Sequence, residues 1–265
     1  MAAWPCASAL PPVGVIRMAL AATIVASQAA HAQGLMDSPI GFRSGLTEGA
    51  VTTRPGTLTL DAGASVRWAG DATIWRLGEL NVRIPITGRL ETRIYSNSYS
   101  WRETPSGTVS GREDAALAAA AMLFRHRGLR PVTTIILRLD APTGNLSGRS
   151  HSWRPGARWS LGWELPGRIA LHGNLGIQRE TASGRRFTRG SASVWLARRL
   201  AGPVGGYAEG FFASRERPGG GTASYLHGGL TCLVRPWLHL DFHAGVGSRE
   251  AGSPRWIGLG VRQRT

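Results

Sequence analysis

Lysine is absent from this chain, so all 31 basic residues are arginine. That excludes a P-loop lysine beneath a nucleotide's phosphates and a Schiff-base lysine. Cysteine is almost as scarce, with Cys6 and Cys232 alone. Cys6 falls in a segment read below as removed on export, which leaves one thiol and no internal disulfide. Long apolar runs are missing too: after residue 32 nothing supplies the roughly 20 apolar residues of a spanning helix. Acidic residues number 16, for a formal net charge of +15. A basic surplus first points to nucleic acid. The arginines are scattered rather than gathered on one helix or stripe, so no nucleic-acid partner is expected.

What is present points to strands. A hydrophobic share of 42% is too high for a disordered chain, and Gly 36 with Trp 10 favours many short strands. At the start, Arg17 supplies a positive region, Met18 to Ala26 an apolar one, and Ala30-His31-Ala32 a small-x-small cleavage site. Residues 1–32 are therefore expected to be a secretory signal peptide, cleaved to leave Gln33. Residues 33–56 then form a periplasmic N-terminal segment, and 57–265 the folded domain.

That domain alternates. Leu58, Leu60, Ala62, Ala64, Val66 and Trp68 oppose Thr59, Asp61, Ser65 and Arg67. Ala157, Trp159, Leu161 and Trp163 oppose Arg158, Ser160 and Glu164, and Leu238, Leu240, Phe242 and Ala244 oppose His239, Asp241 and His243. A period of two gives each strand one apolar and one polar face. Twelve strands are expected, near 57–68, 73–85, 88–99, 114–124, 132–141, 156–165, 168–178, 188–198, 204–214, 223–234, 237–247 and 255–264. Long polar connections, including Trp101–Glu113, Pro142–Pro155 and Arg179–Phe187, follow odd strands from the third on, while mostly tight turns such as Pro166-Gly167 follow even ones; the first loop, around Ala69-Gly70-Asp71-Ala72, is the short exception. Such asymmetry fits an all-β, transmembrane, antiparallel up-and-down β-barrel in the outer membrane, with both termini in the periplasm. Hydrocarbon cannot satisfy backbone polar groups, so a spanning sheet has to close and leave no edge. Trp68, Trp75, Trp195, Trp237 and Trp256 are expected in interfacial girdles. The run Ala115 to Ala121 has the composition of a helix, and strand or helix stays open for it.

On this register Asp61, Glu79, Glu91, Glu164, Glu209 and Asp241 line the lumen with Arg67, Arg83, Arg93, Arg138, Arg158 and Arg262. Balanced charges brace a wall, whereas a ring of one sign would select ions. His172, His227, His239 and His243 are expected on the same inner face. His239, Asp241 and His243 stand at i, i+2 and i+4, but a flat strand seldom focuses three ligands, and no metal is expected. Arg149, Arg154, Arg179, Arg185, Arg186, Arg189, Arg215 and Arg217 are placed on outer loops, where guanidinium groups could fork onto lipopolysaccharide phosphates or simply be solvated. A barrel hydrolase of lipids or esters would need serine beside histidine. His151-Ser152 lies in a loop, His172 and His227 have no serine at same-face spacing, and no Gly-x-Ser-x-Gly occurs. No enzyme is expected.

Several phrases resemble the outer-membrane family named for the MetA pathway of phenol degradation. They are Thr53-Arg54-Pro55 leading into Gly56-Thr57-Leu58-Thr59-Leu60, then Leu90-Glu91-Thr92-Arg93, and Gly111-Arg112-Glu113-Asp114. Ala141-Pro142-Thr143-Gly144, Tyr207-Ala208-Glu209-Gly210-Phe211-Phe212, and Leu240-Asp241 with Gly245-Val246-Gly247 complete the set, over roughly residues 47–264. The resemblance implies an outer-membrane protein, a passive channel or transporter for small hydrophobic aromatic solutes, with no catalytic residue and no cofactor. Its implied partners are outer-membrane lipid, lipopolysaccharide, such solutes and the barrel-assembly machinery. A non-transporting structural or adhesive barrel is the alternative, because pore width depends on how side chains fill the interior.

Overall fold

The computed structural model describes residues 47–146, 152–182 and 184–265. The signal peptide and its cleavage site, Arg149 and His151 lie outside the described residues. Thirteen strands follow one another: β1 (Thr59–Ala69), β2 (Ala72–Pro85), β3 (Leu90–Thr104), β4 (Gly107–Arg112), β5 (Ala115–Phe124), β6 (Val132–Asp140), β7 (Arg154–Leu165), β8 (Ile169–Ala182), β9 (Arg185–Ala201), β10 (Val204–Ala213), β11 (Ala223–Arg235), β12 (Leu238–Gly247) and β13 (Arg255–Arg264). A 3-10 turn, Arg249–Ala251, sits between the last two.

Apart from β4 and β5, consecutive strands pair antiparallel, and β1 pairs with β13 from Thr59↔Arg264 to Trp68↔Arg255, which closes the ring. β4 and β5 both pair with β3, one with its outer half and one with its inner half, so together they make one interrupted stave. Thirteen strands therefore give the twelve staves expected from the sequence. No described helix is long and apolar enough to cross a membrane.

Alternation determines what each face meets. Leu77, Leu137, Leu175, Ile177, Val194, Phe212, Leu230, Phe242 and Leu259 point outward and are exposed. Asp61, Glu91, Arg93, Ser160, His172, Asn174, Glu209 and Arg262 point inward and are buried. A monomeric soluble sandwich has the reverse arrangement, with apolar side chains in its core. Two left-handed positions facing each other, Gly78 (φ 79°) in β2 and Ser98 (φ 102°) in β3, shift the period of both strands together, and the β1–β2 ladder takes this up as a register shift between Asp61 and Ala64. Beyond them Glu79, Asn81, Ser98 and Ser100 are again buried.

The alanine run is a strand. Ala116, Ala118 and Ala120 are buried beside Tyr95 and Ile136, while Leu117 is exposed on the opposite face. Local helix propensity loses because a two-sided pairing with β3 and β6 satisfies all the backbone groups of this run. Two connections expected to be loops are largely strand. Trp101–Glu113 is mostly a hairpin turning at Pro105-Ser106, and Arg179–Phe187 turns only near Gly184. Ladders extend past the apolar belt because polar alternation continues past it. Two tryptophans assigned to girdles are inside the barrel: Trp195 is 2% exposed and Trp256 4%. Trp68, Trp75 and Trp237 are exposed near strand ends.

The break between β4 and β5 has a local cause. The Gly144 N–H donates to Asp114 Oδ1 (2.9 Å), the Ala115 N–H to Thr143 Oγ1 (2.9 Å) and the Arg112 N–H to Asn145 Oδ1 (2.7 Å). The segment after β6 thus folds over the break and takes the place of ladder bonds. A Cβ on Gly144 would stand 2.7 Å from the Arg112 carbonyl oxygen, and one on Gly111 2.9 Å from Leu146 backbone, so neither position has room for a side chain.

Candidate functional site

The interior holds a segment of the chain's own N-terminal part. Residues 47–53, grouped by sequence with the stretch preceding the barrel, enter from the end that carries the short turns. Thr52 Oγ1 donates to the Gly88 carbonyl at that rim (3.2 Å), and the Thr53 N–H to Glu91 (2.6 Å). Further in, Arg83 donates to the Val51 carbonyl (2.6 Å) and Thr134 to that of Ala50. The segment then crosses to the opposite wall. There the Thr47 N–H reaches Glu209 Oε1 (2.7 Å) and its hydroxyl reaches Ser193 (2.6 Å). Irregular backbone inside a barrel needs partners for its N–H and C=O groups. Inward side chains of β2, β3, β6 to β8 and β10 provide them.

Glu48 is the hub. Its carboxylate accepts from Arg158 (2.5 Å), from Arg93 and from the Tyr95 hydroxyl (3.0 Å). Its backbone carbonyl takes Ser160 Oγ (2.7 Å) and Asn174 Nδ2 (3.1 Å), and its N–H donates to Asn174 Oδ1 (2.6 Å). Burial by itself would raise this carboxyl group. Arg158, Arg93 and Arg138, with the Tyr95 hydroxyl, outweigh burial and hold it down at about 2. Beside Glu48, Arg138, Arg158, Gly156, Gly176 and Arg189 line a small, partly open recess of about 20 Å³, on the scale of a bound water.

Most of the charged positions named from sequence face this interior, with partners that differ from a simple six-against-six match. Arg262 forks onto Asp61 (2.5 and 3.1 Å), and Arg83 and Arg93 share Glu91 (2.8 and 2.6 Å). Glu79 accepts from Ser65 (2.9 Å), and Glu209 meets His227 (2.9 Å). His243 contacts Asp241 (3.3 Å), and the Arg67 guanidinium lies 5.9 Å from the Trp256 ring. Arg138 instead pairs with Asp140 (2.8 Å), and Arg158 with Glu48. Glu164 is exposed at the rim beside the Pro166-Gly167 turn. Five arginines assigned to outer loops stand in strands. Arg154 pairs with Asp114 (3.0 Å) and Glu180 (3.3 Å), Arg189 with Glu180 (2.9 Å), Arg179 is in β8, and Arg185 and Arg186 begin β9. Glu48, Asp114, Asp140 and Glu180 were not singled out from sequence. Of these Asp140 and Glu180 follow the inward parity of β6 and β8. Glu48 lies on no strand, so no period reveals it.

The other half of the wall is aromatic, and sequence reading missed it as a unit. His172 meets Trp195 edge-on (5.6 Å), Trp195 stacks on Tyr207 (5.8 Å), and Tyr207 meets His227 edge-on (5.3 Å). His227 contacts His243 (5.2 Å) and Trp256 (5.8 Å), then Tyr225 and Phe211 follow, stacked at 4.4 Å. The available signal was inward parity: each of these rings sits on the same alternation as its strand's polar residues. Neither His172 ring nitrogen has a hydrogen-bond partner among the described residues. His239 is buried on the same face of β12. Among the described residues no three His, Cys, Asp or Glu side chains are gathered as a metal site requires.

Two solved structures share the architecture. An outer membrane channel from Pseudomonas putida F1 superposes with a TM-score of 0.61 at 11% identity, over 83% of this chain and 100% of that one. The NanC porin does so with a TM-score of 0.57 at 10% identity, over 77% of this chain and 98% of the other. At such identities the likeness shows the fold. No curated protein matches the sequence. The family described as "Putative MetA-pathway of phenol degradation" matches residues 38–265, and the chain belongs to that family.

Proposed function

We propose that this protein is exported by residues 1–32, inserts in the outer membrane, and serves there as a passive channel or transporter for small hydrophobic aromatic solutes. The carrying observation is a closed antiparallel ring, apolar outside and polar or aromatic inside, whose lumen is filled by residues 47–53 of the same chain. A segment held across the lumen by hydrogen bonds to both walls suits a channel that is closed at rest. The family's description ties it to phenol degradation, and the ring row from His172 to Phe211 offers edge and face contacts to a planar solute. The solved likenesses, a channel and a porin, support the same reading.

This reading assigns no catalytic residue. His172 contacts Trp195, and His227 contacts Glu209 and Tyr207. Planar-bilayer recording and liposome uptake of phenol-sized solutes test the proposal. Low basal conductance is expected, with a large rise when residues 47–53 are deleted. A deletion variant that is folded yet neither conducts nor admits solute would sink the channel reading in favour of the structural one.

A further inference from the structure

The outward face of β7 to β10 carries one kind of charge. Its residues in β8 are Ile169, Leu171, Gly173, Leu175, Ile177, Arg179 and Thr181, and in β9 they run from Arg186 and Thr188 to Leu200. No carboxylate stands on the outward parity of these four strands. Glu180, beside Arg179 in sequence, turns inward and is taken by Arg154 (3.3 Å) and Arg189 (2.9 Å). Arg179 bonds only Thr188 (2.8 Å), and neither it nor Arg186 has an acidic partner among the described residues.

Register brings the two arginines together. Arg179 pairs with Thr188 and Arg186 with Thr181, so they are diagonal neighbours on one face, about 7–8 Å apart at the backbone and within reach of long side chains. Two guanidinium groups left so close repel unless an anion lies between them. Their height is informative as well. From Ile169 to Ile177 the outward face is apolar for eight steps, about 27 Å along the strand and about 21 Å of height at a tilt near 40°, close to the usual ~25 Å band. The pair stands directly above that band, where headgroups begin, and exposed Trp153 immediately precedes the neighbouring strand β7.

We propose that Arg179 and Arg186 bind the phosphate of an anionic outer-leaflet lipid, its acyl chains lying on Leu175, Ile177 and Val194. Planar guanidinium forks suit a phosphate monoester, and the apolar band below gives the acyl chains a surface that free phosphate cannot use. The proposal rests on the outer-membrane reading above, because it needs the long-loop end to face the outer leaflet.

Native mass spectrometry of the purified full barrel, titrated with a diphosphorylated lipid A, tests it. Retention of that lipid is expected, weakened about tenfold or more for the same lipid after removal of its phosphates, by the usual strength of charge-assisted bonds. The Arg179→Gln, Arg186→Gln double variant is expected to lose the same preference, whereas Arg198→Gln at the opposite rim keeps it. Equal retention of dephosphorylated lipid, or inorganic phosphate binding as tightly as the lipid, overturns the proposal. The first comparison needs no variant, so a misfolded mutant does not decide it. Heat-modifiable gel mobility and bilayer insertion are read in parallel. A barrel that inserts but shows no phosphate preference fails here alone, and one that does not insert fails the outer-membrane reading.

Discussion

Glu48 shows how one residue holds a segment that has no secondary structure of its own. Removing this buried carboxylate leaves Arg158 with an unmet charge and Arg93 with Glu91 alone, at a usual cost of about 3–5 kcal/mol for a broken buried pair. Glu48→Ala is accordingly expected to raise single-channel open probability more than tenfold, while Glu48→Gln, which keeps some hydrogen bonds, gives a smaller rise. Its acidity adds a pH dependence of definite sign. The docked carboxyl titrates at about 2, below its ordinary 4.5, so docking gains stability that is fully present above 4.5 and is lost as pH falls through 2. Conductance should stay flat from pH 7 to about 5 and climb only in stronger acid; a climb already at pH 6 would contradict this assignment. Trp195 and Tyr207 carry a separate expectation. Replacing both by Ala should slow uptake of phenol-sized solutes in a plug-deleted barrel more than it slows an aliphatic solute of equal size, measured by liposome flux.

Between residue and molecule, the interrupted stave β4–β5 is the informative element. Gly111-Arg112-Glu113-Asp114 and Ala141-Pro142-Thr143-Gly144 read in sequence as two separate family phrases. Folded, they are one joint, closed by the Asp114–Gly144 and Thr143–Ala115 hydrogen bonds and by Arg154 on Asp114 (3.0 Å). Gly144→Ala puts a methyl group against the Arg112 carbonyl, an overpacking that usually costs about 1–3 kcal/mol. The variant should lose its heat-modifiable folded band at lower urea than the wild type, whereas Gly210→Ala, with nothing within 4 Å of the added Cβ, should not.

At the scale of the whole barrel, exposure sorts the tryptophans into two sets. Trp68, Trp75, Trp159 and Trp237 face outward, while Trp195 and Trp256 are enclosed. Brominated lipid should quench the fluorescence of barrels that retain only the first set and leave nearly untouched those that retain only Trp195 and Trp256. Comparable quenching of both sets would mean that the inside and outside have been exchanged.

Period-two alternation, with its apolar set outward, was written in the sequence and determined the strands, their number and most of what each turns inward, from Asp61 and Arg262 to His172 and His243. Side-chain direction in a strand is a local consequence of the backbone, so sequence spacing is enough to read it. The tertiary structure decided which inward groups meet. Arg158 and Glu48 are far apart in the chain and the second lies on no strand; Trp195 and Trp256 have the composition of girdle residues yet end inside, because ring closure brings β9 and β13 to one lumen. The alanine run needed the same closure: only pairing on both sides makes a strand of a sequence that, taken alone, favours a helix.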